Sequence, residues 1–499
     1  MWEFLLYLYG YIVLGYSLLL IASYVMLLVF AYQYSTGCKQ WSDDYIRHMV
    51  QSSPYVPGIS IVAPAYNEEK TIIDNVRSLL KMDYPNFEVC IVNDGSKDKT
   101  LELLIDTFDM VEVPFEYYEK VHCAPFKKLL RSTNPAYSRL LVVDKVNGGT
   151  KADAVNAGLN VINNPYFINT DVDCILAKDA MYQCIFPVIN DQTIIAVSGT
   201  MSMSNGSTIS DGVLVDIRPS SKPIPLFQDL EYKRSFLVGK MGWSKINAMN
   251  NVSGGYGLFS TKVVINAGGY SSTSFAEDMD MITRMIAYCC DFKLKYRVVQ
   301  IPHTCCWTEG PSNLKMLRRQ RIRWGRGLIQ LMWEHRRILF NYKYKRLGLI
   351  TFPYTFLFEF LAPIIETCGL IMLVYLIFIG GVNWNTFFIT FFAIYSFSFM
   401  LSTFVVFYDY ILGCSYTSIR SYIKLFIAAL FEPFIYHPIV VLCSVTGYYK
   451  FITRQKAVWK SMERTGMKHA NKTPNTNVNA AQNAENNAAQ NAENGGNKA

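Results

Sequence analysis

Two apolar blocks frame this chain and limit what it can fold into: Phe4 to Tyr32 at one end and Leu349 to Tyr449 at the other. An ordinary mixed sequence runs from Pro57 to about Tyr342 between them. A helix needs about 20 consecutive apolar residues to cross a bilayer. The first block meets that length, and Glu3 is its only charge before Lys39, so it reads as a retained transmembrane helix rather than a cleaved leader. Lys39 and Arg47 follow it and no basic residue precedes it, which predicts an external N-terminus and a cytoplasmic middle domain. The composition agrees. With 51% hydrophobic and 17% charged residues in 499, the chain has the balance of an integral membrane protein. The net charge of +8 is concentrated beside the apolar blocks, at Arg336, Arg337, Lys343, Lys345, Arg346, Lys450, Arg454 and Lys456. That placement favours an anionic lipid surface over nucleic acid as the partner. The twelve cysteines show no C-x-x-C spacing and read as small core hydrophobes in a reducing compartment.

Within the middle region, short β-branched runs alternate with helical patterns. GISIVA (Gly58–Ala63), EVCIV (Glu88–Val92), Leu140–Val143 and Tyr166–Asn169 read as strands, with helices predicted up to Leu80, over Lys99–Phe108 and over Gly149–Val161. Such alternation means βαβ units, a mostly parallel sheet, and ligands at the carboxyl ends of the strands. Asp94, Lys151, Asp171 and Asp173 all fall on that edge. Asp171 and Asp173 lie two apart where a strand runs out, so their carboxylates project together. A pair of hard oxygen ligands suits Mg²⁺ or Mn²⁺ carrying phosphates, and a plain polar turn is the alternative. Lys151 opens a helix after two glycines but lacks P-loop spacing, so it reads either as a phosphate contact or as a solvated lysine.

Farther on, Glu277, Asp278 and Asp280 crowd the first turn of a helix, where carboxylates often serve only the helix dipole. Gln320, Arg323 and Trp324 share one helical face. An amide, a guanidinium and an indole there suit a diphosphate and a sugar, while a basic helix on lipid is the other reading. The C-terminal block divides into Leu349–Gly381, Phe387–Leu412 and Leu425–Tyr449. The first exceeds one crossing, and Pro353, Glu359, Pro363 and Glu366 place its start in the interface. The third has basic residues on both sides, and Glu432-Pro433 with His437-Pro438 suggests a re-entrant or in-plane hairpin that keeps both basic clusters cytoplasmic. Glu359, Glu366 and Glu432 either line a polymer channel or form buried pairs.

The expected division is a transmembrane helix over 1–33, a linker over 34–57 and a globular domain over 58–300. Interface helices over 301–348, a membrane and interfacial region over 349–449, a basic segment over 450–464 and a disordered Asn/Ala-rich tail over 465–499 follow.

Taken in order, PAYNEE (Pro64–Glu69), NDGS (Asn93–Ser96), GGTKADAVNAG, TDVD (Thr170–Asp173), AED (Ala276–Asp278) and QRIRW (Gln320–Trp324) resemble the membrane-bound family 2 glycosyltransferases, which include hyaluronan, cellulose and poly-N-acetylglucosamine synthases. The resemblance runs over about Ile59 to Gln330. FQDLEYKR and CWTEGP look most like the poly-N-acetylglucosamine branch. The single N-terminal crossing and the insert from Val111 to Arg139, an extra hairpin or an acceptor-side loop, depart from some relatives.

The resemblance implies a GT-A-like α/β domain in a multi-pass protein of a bacterial inner membrane. By that likeness Asp94 with Glu68 would hold the uridine of a UDP-sugar, while Lys151, Gln320 and Arg323 contact the diphosphate. Asp171 and Asp173 would bind Mg²⁺ or Mn²⁺, Asp278 would be the general base, and Trp324 would stack on the growing glycan. The implied activity is inverting, processive polymerisation, with UDP-N-acetylglucosamine the favoured donor. Transfer of one sugar to a lipid carrier and a catalytically idle receptor or scaffold stay open, as does an accessory membrane subunit.

Overall fold

A computed structural model describes residues 2–38, 42–53, 56–171, 174–210, 213–413, 415–455 and 468–469. Its globular strands are β1 (Ile59–Ala65), β2 (Phe87–Asn93), β3 (Met110–Val113), β4 (Phe126–Ser132), β5 (Leu140–Lys145), β6 (Tyr166–Thr170), β7 (Ile175–Leu176), β8 (Ile194–Met203), β9 (Thr208–Ser210), β10 (Val213–Asp216), β11 (Tyr256–Ser260) and β12 (Arg297–Thr308). Ten of these form one sheet in the order β3-β4-β5-β2-β1-β6-β11-β8-β12-β7. The central strands β5, β2, β1 and β6 are parallel, as the strand and helix alternation predicts. Beyond them the sheet is mixed, because β11 inserts antiparallel between β6 and β8. The insert after Val111 takes the hairpin form: β3 pairs antiparallel with β4, and β4 with β5, at the edge remote from β8 and β12.

Both faces of the central strands are covered. Ile59, Ile61, Ala63, Val89 and Ile91 enter one core, and Val62, Cys90 and Val92 enter the other, following the two-residue alternation of a strand. Burial on both sides is why these segments are continuous apolar runs. Ala65 lies beside Asn93, Asn93 beside Asp144, and Val62 beside Asn169. The four strands therefore end together, on the edge that carries the predicted ligands.

Two expectations about organisation need correction. The linker over 34–57 contains a helix, Asp43–Ser52, whose Ile46 and Val50, four apart, join the core. The sheet also runs past residue 300, since β12 continues to Thr308. Two residues of the segment 465–499 are described: β13 (Lys468–His469) pairs with β9. The other residues from 456 onward lie outside the described residues.

Among the described residues, four helices are long and apolar enough to cross a membrane: Gly10–Cys38, Leu347–Phe378, Trp384–Leu412 and Ile419–Ile452. The start of the second is irregular, with π turns at Leu347–Thr351 and Thr355–Phe360 beside the predicted interfacial prolines. The hairpin expected within 425–449 does not form. Ile419–Ile452 is one helix with Pro433 and Pro438 inside it. Beside Pro433 the helix is tied to its neighbour, since the Tyr395 hydroxyl donates to the Leu430 carbonyl (3.3 Å). Both ends of this helix meet the globular domain. Before it, Tyr416 donates to Asp229 (2.9 Å), and after it the Gln455 carbonyl accepts from Arg326 (2.5 Å).

Candidate active site

Strand β2 delivers Asp94 to the shared edge, where it is 6% exposed. Gly95 follows in the left-handed region (φ +62°), and a Cβ there would sit 2.7 Å from the Asn147 nitrogen. That turn seats Asp94 against the loop after β5. Its Oδ1 accepts from the Gly148 N–H (3.0 Å) and from Lys145 Nζ (2.5 Å), while its Oδ2 meets Asn147 Nδ2 at 3.3 Å. Lys145 is fully buried and also donates to Asp153 (2.5 Å). This cation was not singled out from sequence. Its one signal is a lysine closing the apolar strand LLVVDK. Glu68 is held nearby: its N–H donates to Thr100 Oγ1 (2.9 Å) and its carboxylate accepts from Thr71 Oγ1 (3.0 Å).

Lys151 and Asp171 come together. Lys151 Nζ lies 2.6 Å from Asp171 Oδ1 and 2.5 Å from the Gly254 carbonyl. Burial opposes the charge on Lys151, but the Asp171 carboxylate outweighs it and raises the pKa. The other side of the same glycine reaches Asp278, whose Oδ2 accepts from the Gly254 N–H (3.3 Å) and whose Oδ1 accepts from the Met279 N–H (2.9 Å). One glycine thus ties the Lys151–Asp171 pair to Asp278. Neighbouring Glu277 has a raised pKa through burial and the Asp278 charge, against the pull of Arg323. Asp280, in the same acidic turn, points elsewhere and is held by Arg284 and His335, both at 2.8 Å.

A divalent cation fits what is described of the DVD turn. Asp171 offers a hard carboxylate, 41% exposed, with one oxygen on Lys151. Asp173 lies outside the described residues.

The basic motif lies on the Leu314–Glu334 helix. Arg323 is brought to the acidic turn, 3.5 Å from Glu277 Oε2, and donates to the Phe275 carbonyl (3.1 Å). Gln320 carries a buried side-chain oxygen that finds no partner. Trp324 is half-buried, with the Arg321 guanidinium 4.3 Å from its ring centre. Arg321 was also not singled out. It is 3% exposed and forms a two-pronged pair with Glu231 (2.7 and 2.5 Å). Two membrane-segment carboxylates take the paired form: Glu432 binds Arg234 (3.0 Å) and Glu366 binds His437 (2.8 Å).

A mixed sheet with its polar groups at one edge, continuous with helices apolar enough to cross a membrane, defines a GT-A-like domain carried by a membrane protein. Residues 60–230 match the family described as Glycosyl transferase family 2, and residues 227–408 match Glycosyl transferase family group 2. The chain carries family 2 glycosyltransferase domains and is a glycosyltransferase. It is 26% identical over 422 residues to a poly-beta-1,6-N-acetyl-D-glucosamine synthase of Staphylococcus epidermidis, covering 82% of this chain and 88% of that one. A protein of the same name from Staphylococcus aureus is 27% identical over 288 residues, 56% of this chain and 58% of that one. Among solved structures, a mannosyltransferase from Pyrobaculum calidifontis in complex with GDP-Man and Mn²⁺ has a TM-score of 0.50 at 16% identity, covering 89% of this chain and 99% of that one. At that identity the likeness concerns the fold.

Proposed function

We propose that this protein is an inverting, processive β-glycosyltransferase that polymerises UDP-N-acetylglucosamine and passes the polymer across its membrane. The observation that carries the reading is the Gly254 bridge, which links a lysine and carboxylate suited to a diphosphate with a carboxylate suited to a base. The curated relatives, named as poly-beta-1,6-N-acetyl-D-glucosamine synthases, support the choice of sugar.

In this reading the Oδ2 of Asp94, less fully engaged than its Oδ1, accepts from the imide N–H of uracil, with Glu68 beside it. Lys151, Gln320 and Arg323 hold the diphosphate, and the guanidinium offers a two-pronged contact that lysine lacks. Asp171 and Asp173 hold Mg²⁺ or Mn²⁺, which supplies charge to offset that on the departing UDP. Asp278 takes the proton of the acceptor hydroxyl. The hydroxyl oxygen bonds to the anomeric carbon from the face opposite UDP, and the electron pair of the breaking C–O bond leaves with the phosphate, so configuration inverts. Trp324 stacks on the acceptor sugar.

The domain faces the cytoplasm of a bacterium from the inner membrane. The contacts that both ends of the unbroken Ile419–Ile452 helix make with the domain support an in-plane placement, which keeps Arg420, Lys424, Lys450 and Arg454 on that same side.

The test is UDP release by the purified full chain with Mg²⁺ or Mn²⁺, offering UDP-N-acetylglucosamine, UDP-glucose and UDP-glucuronate separately, alongside product size. Release with one donor, lost in Asp278→Asn, and a high-mass product support the proposal. Short lipid-linked product overturns processivity. Absence of release above the Asp278→Asn background overturns the proposed use of a UDP-sugar with Asp278 as base.

A further inference from the structure

Arg321 sits between Gln320 and Arg323, the two residues of its motif assigned to the diphosphate, but its guanidinium is committed elsewhere. Nη1 and Nη2 donate to the two carboxylate oxygens of Glu231 (2.7 and 2.5 Å), Nη2 also reaches the Tyr436 hydroxyl (2.6 Å), and that hydroxyl donates to Glu231 (2.8 Å). Three helices meet in this network: Pro223–Lys233 brings Glu231, Leu314–Glu334 brings Arg321 and Ile419–Ile452 brings Tyr436. Glu231 belongs to the FQDLEYKR stretch, to which the mechanism above gives no task. Arg321 and Tyr436 are 3% and 2% exposed, so water competes little for these bonds. A guanidinium forked onto both oxygens of a carboxylate has one plane open to it. That group stands over the indole of Trp324, 4.3 Å from the ring centre. The next residue, Gly325, lies against the membrane helix. A Cβ there would sit 2.8 Å from the Ser444 carbonyl oxygen, so the backbone beside Trp324 is held as well as its ring.

An aromatic ring holds a sugar by its face, and a ring that must first be ordered spends binding energy on that ordering. Resting on the acceptor role proposed above for Trp324, we infer that Arg321 is a positioning residue for the acceptor: locked by Glu231 and Tyr436, it fixes the plane of the indole before the glycan arrives. The guanidinium takes one face of the ring, so the terminal sugar stacks on the other. Because Tyr436 stands on the Ile419–Ile452 helix, the platform is registered to the membrane segment as well as to the globular domain. The charge of Arg321 is matched by Glu231, so the diphosphate is left to Arg323 and Lys151.

The experiment uses the full chain in detergent and follows the affinity of an N-acetylglucosamine oligosaccharide for the UDP-loaded protein by calorimetry, beside UDP release with UDP-N-acetylglucosamine as donor. Arg321→Lys keeps a charge facing Glu231 and gives up the planar fork. Oligosaccharide affinity is expected to fall about two- to tenfold, the cost of ordering one free side chain, with UDP affinity unchanged. Tyr436→Phe removes one hydroxyl and keeps the ring beside Phe227, 5.7 Å between centroids; its effect is expected to be smaller and in the same direction. In a Trp324→Ala background neither substitution is expected to lower the affinity further, because a residue that acts through the indole then has nothing to act on. Undiminished effects in that background overturn the inference, as does unchanged oligosaccharide affinity in Arg321→Lys. Where Arg321→Lys does not fold, Tyr436→Phe decides, and unchanged affinity in it overturns the inference. Equal losses of oligosaccharide and UDP affinity with a lower Tm make the network structural and also overturn it. Wild type that releases no UDP, or Trp324→Ala that binds the oligosaccharide as wild type does, defeats the proposed function or its acceptor site and this inference with it. Binding that depends on Trp324 but is indifferent to Arg321→Lys defeats this inference alone.

Discussion

The strand edge that gathers Asp94, Lys151, Asp171 and Asp278 and the seam where the Pro223–Lys233 and Leu314–Glu334 helices meet the membrane helices are both rich in charge, and they treat it in opposite ways. At the seam every carboxylate named is matched to a cation or hydroxyl: Lys233 with Asp409, Arg234 with Glu432, Arg321 with Glu231, and Tyr416 with Asp229. Lys233 and Asp409 are 1% and 0% exposed, so their attraction offsets a large desolvation cost. At the edge the matching is incomplete. Asp171 is 41% exposed, and among the described residues Asp278 accepts only from two backbone N–H groups. The difference separates charge used for docking from charge left for a ligand, and that distinction is open to experiment.

The largest expected effect is on turnover. Asp278→Asn is expected to lower UDP release about 10²- to 10⁴-fold, the usual worth of a general base, with Tm and UDP affinity near wild type. A fall in Tm of the size expected for a seam variant would erase the contrast. Lys233→Met tests the other side. It leaves Asp409 buried and without its cation, and thermal unfolding in detergent should show a loss of about 3–5 kcal/mol. The protein that stays folded should bind UDP normally; a seam variant with selectively weakened UDP binding would show that the two regions are not separate.

Gly447→Val sharpens the description of the seam. A Cβ at Gly447 would lie 2.7 Å from the Ile322 carbonyl oxygen and 2.9 Å from the Arg326 nitrogen, backbone atoms that cannot rotate away. Forcing the two helices apart is expected to cost about 1–3 kcal/mol in stability, read as a lower Tm. The smallest effect is assigned to Arg47→Ala. Arg47 pairs with Asp83 at 2.6 Å, but the side chains are 46% and 43% exposed, so the expected change is about 0–1 kcal/mol. A larger loss would mean that the Asp43–Ser52 helix is anchored by more than its apolar face.

Much of this architecture was legible in the chain because it depends on local periodicity. Continuous β-branched runs specified the central strands, the spacing of apolar residues specified the helices after them, and the length of the apolar blocks specified the candidate spans. The ordered motifs placed Asp94, Lys151 and Asp171 on one edge, since parallel strands of matched register end together. Periodicity alone did not reveal the helix inside 34–57, where the apolar face is only two residues wide, or the antiparallel insertion of β11, which is a choice of pairing partner.

The unbroken Ile419–Ile452 helix also escaped sequence reasoning. Pro433 and Pro438 predict a break from local chemistry, and the outcome depends on what packs beside them, including a tyrosine hydroxyl from residue 395. The same limit applies to charge. The sequence shows where lysines, arginines and carboxylates occur and which of them lie near strand ends. Only the tertiary structure decided that Lys145 bridges Asp94 and Asp153 and that Arg321 belongs to Glu231. These are contacts between residues distant in the chain, and their energies depend on burial and separation, which no local pattern encodes.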